Sequence, residues 1–118
     1  MIETSTMTDK ELLELSAKAY GIKDLTWREG SQCFYYDDEE TGRECWEPLD
    51  NDGQAFRLSV SLHIDIRQFM YFRDCMDCTI DRMGKAFSEK FNEDPRAATR
   101  RAIVRAAAYI GSQEVNHD

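Results

Sequence analysis

The chain has 118 residues, enough for one hydrophobic core and too few for two. Hydrophobic residues make up 42% and charged residues 32%, which excludes general disorder, and no apolar run approaches the roughly 18 residues of a membrane span. The formal charge of −8 is uneven: residues 1–55 carry 14 acids and 5 bases, residues 56–118 carry 9 acids and 10 bases, so the acidic half would be repelled by nucleic-acid phosphates.

Met1 to Lys10 is polar and lacks the apolar run of a signal peptide. The four thiols, Cys33, Cys45, Cys75 and Cys78, are therefore expected to be reduced in a cytoplasm, as inert small hydrophobes. Residues 1–7 read as a disordered extension before a single α+β domain over 8–111, with 112–118 a flexible tail.

Thr8-Asp9-Lys10-Glu11 is a capping box: the Thr8 hydroxyl can accept from the Glu11 amide while the Glu11 carboxylate reaches back. Behind it Leu12, Leu15 and Ala19 follow helical spacing, so a helix over 8–20 is predicted to bury that stripe and to stop at Gly21. Residues 25–48 are strand-like. Leu25-Thr26-Trp27 reads as a short strand. Cys33–Tyr36 and Arg43–Trp46 read as a hairpin with the acidic tip Asp37–Thr41, closed by Pro48.

Asp50-Asn51-Asp52-Gly53 offers capping residues for a second helix, with Ala55, Leu58, Ser59 and Leu62 as its stripe. The period then changes to two at Ile64 and Ile66, and residues 64–91 read as a meander of two or three antiparallel strands. The third helix is the clearest: Asp94 as N-cap, Pro95 in the first turn, a body over 95–110 and a stop at Gly111. On its wheel Ala98, Thr99, Ala102, Ile103, Ala106, Ala107, Tyr109 and Ile110 form one broad apolar half. Arg96, Arg100, Arg101, Val104 and Arg105 fall on the other half or its margins. The fold class is α+β, three helices on a small antiparallel sheet or meander.

Chemistry-bearing motifs are few. Cys75-Met76-Asp77-Cys78 is a CxxC that supplies two zinc ligands of the usual four, with His63 the nearest further candidate. Cys33 and Cys45 are too far apart in sequence to form a second knuckle, and in a strand two residues three apart point to opposite faces. Asp74 and Asp77 oppose thiolate formation, which argues against a thioredoxin-like pair. His63 reads as a structural hydrogen-bonder, since no nucleophile is paired with it by a recognisable motif. No catalytic residues, cofactor or metal are therefore expected, and the chain reads as a non-enzyme. The surviving functional feature is the acidic, aromatic-rich segment Phe34, Tyr35, Tyr36, Asp37, Asp38, Glu39, Glu40 and Trp46, a candidate contact for a basic protein partner. The apolar arc of the third helix is equally compatible with a homodimer.

Three segments read together resemble a known group: Met7-Thr8-Asp9-Lys10-Glu11-Leu12-Leu13, Trp46-Glu47-Pro48-Leu49-Asp50-Asn51-Asp52-Gly53-Gln54-Ala55-Phe56-Arg57-Leu58, and the stretch from Asp94-Pro95-Arg96 through Arg100-Arg101-Ala102-Ile103-Val104-Arg105-Ala106-Ala107-Ala108-Tyr109-Ile110-Gly111. The order resembles small proteins encoded by tailed phages and prophages, and more remotely the NinX-like family. Asn51 stands where that pattern usually has Asp, so the position is not a carboxylate needed for catalysis. The resemblance implies an accessory protein in a bacterial host cytoplasm, binding a host or phage protein that can itself be a nucleic-acid binder. It would make no direct contact with nucleic acid or membrane. Two further readings are an anti-defence inhibitor or DNA mimic, and a small zinc protein using the CxxC.

Overall fold

A computed structural model describes residues 4–69, 75–80, 85–90 and 94–115. The chain runs through helix α1 (Asp9–Tyr20), strands β1 (Thr26–Arg28), β2 (Cys33–Asp38) and β3 (Gly42–Trp46), and helix α2 (Asp52–Ser61). Strands β4 (Ile64–Phe69), β5 (Cys75–Ile80) and β6 (Lys85–Lys90) follow, then helix α3 (Pro95–Val115). The fold is α+β, as the sequence predicts, with two antiparallel meanders rather than one: β1-β2-β3 and β4-β5-β6.

Local chemistry sets most boundaries. The Glu11 amide donates to Thr8 Oγ1 at 3.1 Å, and the Thr8 amide donates to Glu11 Oε1 at 2.9 Å, completing the capping box. Gly21 ends α1 in the left-handed conformation (φ 100°). Asn51 caps α2 by accepting from the Gln54 amide at 2.9 Å. Asp94 caps α3 by accepting from the amides of Arg96 and Ala97, each at 3.1 Å.

The core centres on α3, which packs against α1, α2, β5 and β6. Ala102, Ile103, Val104 and Ala106 to Ile110 are all buried. Between Ala102 and Ile110 only Arg105 is not buried, so this stretch is enclosed on nearly every side. Val104, expected toward the polar side, is thus a core residue. Small alanines let the neighbouring elements close on the helix from several directions.

Three expectations are corrected. Gly111 does not stop α3; the helix continues to Val115 and Ser112 is buried. A Cβ built on Gly111 would lie 2.0 Å from the Leu15 carbonyl oxygen, so this glycine is the point where α1 and α3 meet backbone to backbone. In α1 the buried residues are Leu12, Ser16 and Ala17, while Leu15 and Ala19 are half-buried. The stripe is rotated because α1 is covered both by α3 and by the Trp46 side of the first sheet. Finally, Thr4–Thr6, within the stretch expected to be loose, forms a 3-10 turn with Thr4 buried. Thr4 Oγ1 accepts from Arg105 Nε at 3.1 Å, which ties the turn to α3.

The first sheet carries its apolar face inward. Phe34 and Tyr36 alternate into the core, and the register pairs Phe34 with Trp46. Trp46 stacks on Tyr20 and donates from Nε1 to the Leu13 carbonyl at 3.0 Å. Gln54, also buried, joins α2 to the end of β3. Its Oε1 accepts from the Glu47 amide at 2.7 Å and its Nε2 donates to the Cys45 carbonyl at 2.7 Å.

The arginines of α3 pair with acids. Arg100 NH1 reaches Asp52 at 2.6 Å, Arg101 NH1 reaches Asp9 at 2.9 Å, and Arg105 NH1 reaches Glu89 at 2.6 Å. Two of these acids belong to the acidic half of the chain. The arginines thus act as joints between elements.

Candidate acidic groove

Two turns build a groove on one side of the first sheet. In the β2–β3 hairpin, Asp38 accepts from the amides of Glu40 at 2.8 Å and Thr41 at 3.1 Å, and Gly42 supplies the left-handed residue (φ 88°) that re-enters β3. These two amide bonds, from Glu40 and then Thr41, hold the Asp38 carboxyl below the usual carboxylate range. Opposite the hairpin, Gly21 turns the chain out of α1 into Ile22, Lys23 and Asp24. A groove of about 750 Å³ lies between the two turns.

Its rim carries Asp24, Asp37, Asp38, Glu39, Glu40 and Glu44 against two cations, Lys23 and Arg57. Tyr20 and Tyr36 contribute aromatic wall. The Tyr36 hydroxyl donates to Glu44 Oε2 at 3.0 Å. Burial first, and then this bond, push the phenol well above its ordinary value, so it stays neutral and fixes the Glu44 carboxylate. Arg57 lies close enough to Asp38 to favour its ionised form. A rim with this excess of carboxylates attracts cations.

The structure divides the predicted contact residues. Asp37, Glu39 and Glu40 are exposed, and Asp38 and Tyr35 are half-buried. Phe34 and Trp46 are core residues, 4% and 2% exposed, and are corrected from surface anchors to structural ones, while Tyr36 is buried at 8% exposure but keeps its place in the groove wall. They face inward because β2 alternates and α1 covers that face. The contributions of Tyr20, Asp24 and Arg57 were not foreseen. Tyr20 ends α1, Asp24 lies in the loop after it and Arg57 lies on α2, and only Gly21 marks that the chain turns there.

His63 is exposed and takes a left-handed backbone (φ 57°) that swings the chain from α2 into β4. Its observed role is thus that of a turn residue. Cys75 and Cys78 fall on the backbone of β5, and their side chains lie outside the described residues. Among the described residues no three His, Cys, Asp or Glu side chains gather as a metal site, and no helix is long and apolar enough to cross a membrane.

No family model, curated protein or solved structure matches the chain.

Proposed function

We propose that this chain is a non-enzymatic binding protein whose acidic groove receives a basic segment of a protein partner. The observation that carries the reading is the convergence of six carboxylates, five from the β2–β3 hairpin and one from the loop after α1, on one groove with two opposing cations. A rim of one sign steers an oppositely charged partner and disfavours like-charged ones. The resemblance of the three segments quoted above supports a more specific version, a phage or prophage accessory protein acting on a host or phage protein in a bacterial cytoplasm. Asp9, Asp52 and Glu89 are engaged by arginines of α3. That favours a localised contact over the long free row of carboxylates that a DNA mimic requires.

The test is capture from a bacterial lysate by the tagged protein and by its Asp37→Lys/Glu39→Lys/Glu40→Lys variant. Asp38 is kept because it forms the turn. The reading expects a discrete partner held by the parent chain, released by salt and absent from the variant, with both proteins equally folded by circular dichroism. A partner held equally by both would remove the groove from the contact.

A further inference from the structure

We propose that Cys33 and Cys45 form a peroxide-responsive dithiol that closes into a disulfide across the β2–β3 hairpin. Both are free thiols and both are half-buried. The register pairs Tyr35 with Cys45 and Phe34 with Trp46. Because side chains alternate, Cys33, Tyr35 and Cys45 share the face of the sheet opposite Phe34, Tyr36 and Trp46. Cys33 is then the diagonal neighbour of Cys45, a spacing of about 7–8 Å on one face of an antiparallel pair, which a small closure of the hairpin brings to disulfide distance. Each thiol shifts the titration of the other.

Their surroundings give them different tasks. Hydrogen bonding from the Tyr35 side chain, and next from Cys45, lowers the Cys33 thiol below its ordinary value. Ser31 Oγ lies 3.6 Å from the Cys33 sulfur. Burial, and next the contact with Cys33, push Cys45 up to about 12. Cys45 Sγ donates to Glu47 Oε2 at 3.5 Å. One sulfur thus ionises more readily than an ordinary thiol, while the other is held as thiol beside a proton acceptor.

The chemistry balances with hydrogen peroxide as oxidant. The Cys33 thiolate attacks one peroxide oxygen, the O–O bond breaks, and the departing hydroxide takes a proton to leave as water. Cys33 is then a sulfenic acid. The Cys45 sulfur attacks the Cys33 sulfur and the S–O bond breaks. The Cys45 proton passes through the Glu47 carboxylate to the departing hydroxide, giving a second water. Two thiols have lost two electrons and two protons, and one peroxide has become two waters. The new bond closes the loop that carries the acidic tip, fixing the hairpin's register. A thiol reductant reverses it.

The test is peptide mapping of the reduced full chain after hydrogen peroxide. Trypsin cuts after Arg28, Arg43 and Arg57, so peptides 29–43 and 44–57 should emerge joined, lighter than their sum by two hydrogens. The link should persist in the Cys75→Ser/Cys78→Ser variant. In Cys45→Ser, Cys33 should accumulate as a sulfenic acid captured by a 1,3-dione; in Cys33→Ser, Cys45 should stay an alkylatable thiol. Tyr35→Phe should slow oxidation of Cys33 several-fold at neutral pH and recover the rate as pH rises. Two separate, fully alkylated peptides after peroxide would overturn the proposal. So would a link of either cysteine to Cys75 or Cys78 in its place.

Discussion

Gly111 of α3 and Leu15 of α1 touch through their backbones: a methyl group on the glycine would stand 2.0 Å from the Leu15 carbonyl oxygen. In an ordinary helix interior, glycine to alanine is stabilising by about 0.5–1 kcal/mol. Here the sign should reverse. Gly111→Ala forces the two helices apart at a point where neither atom belongs to a flexible side chain. We expect a loss of about 3 kcal/mol, read as a lower urea midpoint with an unchanged slope. A gain in stability would show that the helices do not meet at this residue.

The two tryptophans should respond differently to the same substitution. Trp46 Nε1 is satisfied by the Leu13 carbonyl at 3.0 Å. Trp27 Nε1 is buried without a hydrogen-bond partner among the described residues. Trp46→Phe removes a made bond and leaves a gap in the core. Trp27→Phe removes a donor that contributes nothing. Trp46→Phe should cost about 2 kcal/mol more than Trp27→Phe, measured by chemical denaturation of the pair side by side.

Arg105 is a joint whose geometry a lysine cannot reproduce. Its side chain is 11% exposed and reaches Thr4 Oγ1, the Ser88 carbonyl at 2.9 Å and Glu89 at 2.6 Å. A single ammonium cannot span all three. Arg105→Lys should lose about 1 kcal/mol and Arg105→Met about 2–3 kcal/mol, the latter leaving Glu89 only its longer contact with Arg101 at 3.9 Å. Hydrogen exchange should quicken at residues 4–6 in both, because their turn is fastened to this side chain.

Acid should weaken the protein through Glu11 and Asp38. Both carboxyls are held below their ordinary values. In Glu11 the cause is first the Thr8 amide and then its hydroxyl; in Asp38 it is the Glu40 and Thr41 amides. A depressed folded-state value contributes stability above the unfolded value, and that stability is lost as pH falls through the folded one. The dependence therefore appears below about pH 4–5. Glu11→Gln and Asp38→Asn should each flatten the acid limb of a stability–pH profile while lowering the neutral plateau. An acid limb unchanged in both would show that other carboxyls carry it.

Local chemistry made the sequence readable where neighbours decide the outcome. The Thr8–Glu11 box, the Gly21 stop, the Asp94 cap and the period change at Ile64 all involve residues within a turn of one another. Reading failed where distant partners decide. Gly111 looks like a helix stop until α1 is seen lying against it. Residues 33–36 alternate between two sets, Cys33 with Tyr35 and Phe34 with Tyr36, and both are apolar enough to face inward. Only the cover supplied by α1 chooses Phe34 and Tyr36, which is why three expected surface aromatics proved internal. For the groove, the acidic tip was plain, but Tyr20, Asp24 and Arg57 arrive from elements that no periodicity connects to it.

The apolar helix at the centre of the molecule also orders events during synthesis. Leu12, Phe34, Trp46 and Leu58 are translated long before Ala102–Ile110, the surface on which the core closes. Until that segment leaves the ribosome, the nascent chain can form its caps and hairpins and lay α1 on the first sheet, yet lacks the helix on which the rest of the core closes. Cotranslational folding should therefore stall with exposed hydrophobic faces and complete in one late step, leaving a window in which chaperones would find their substrate.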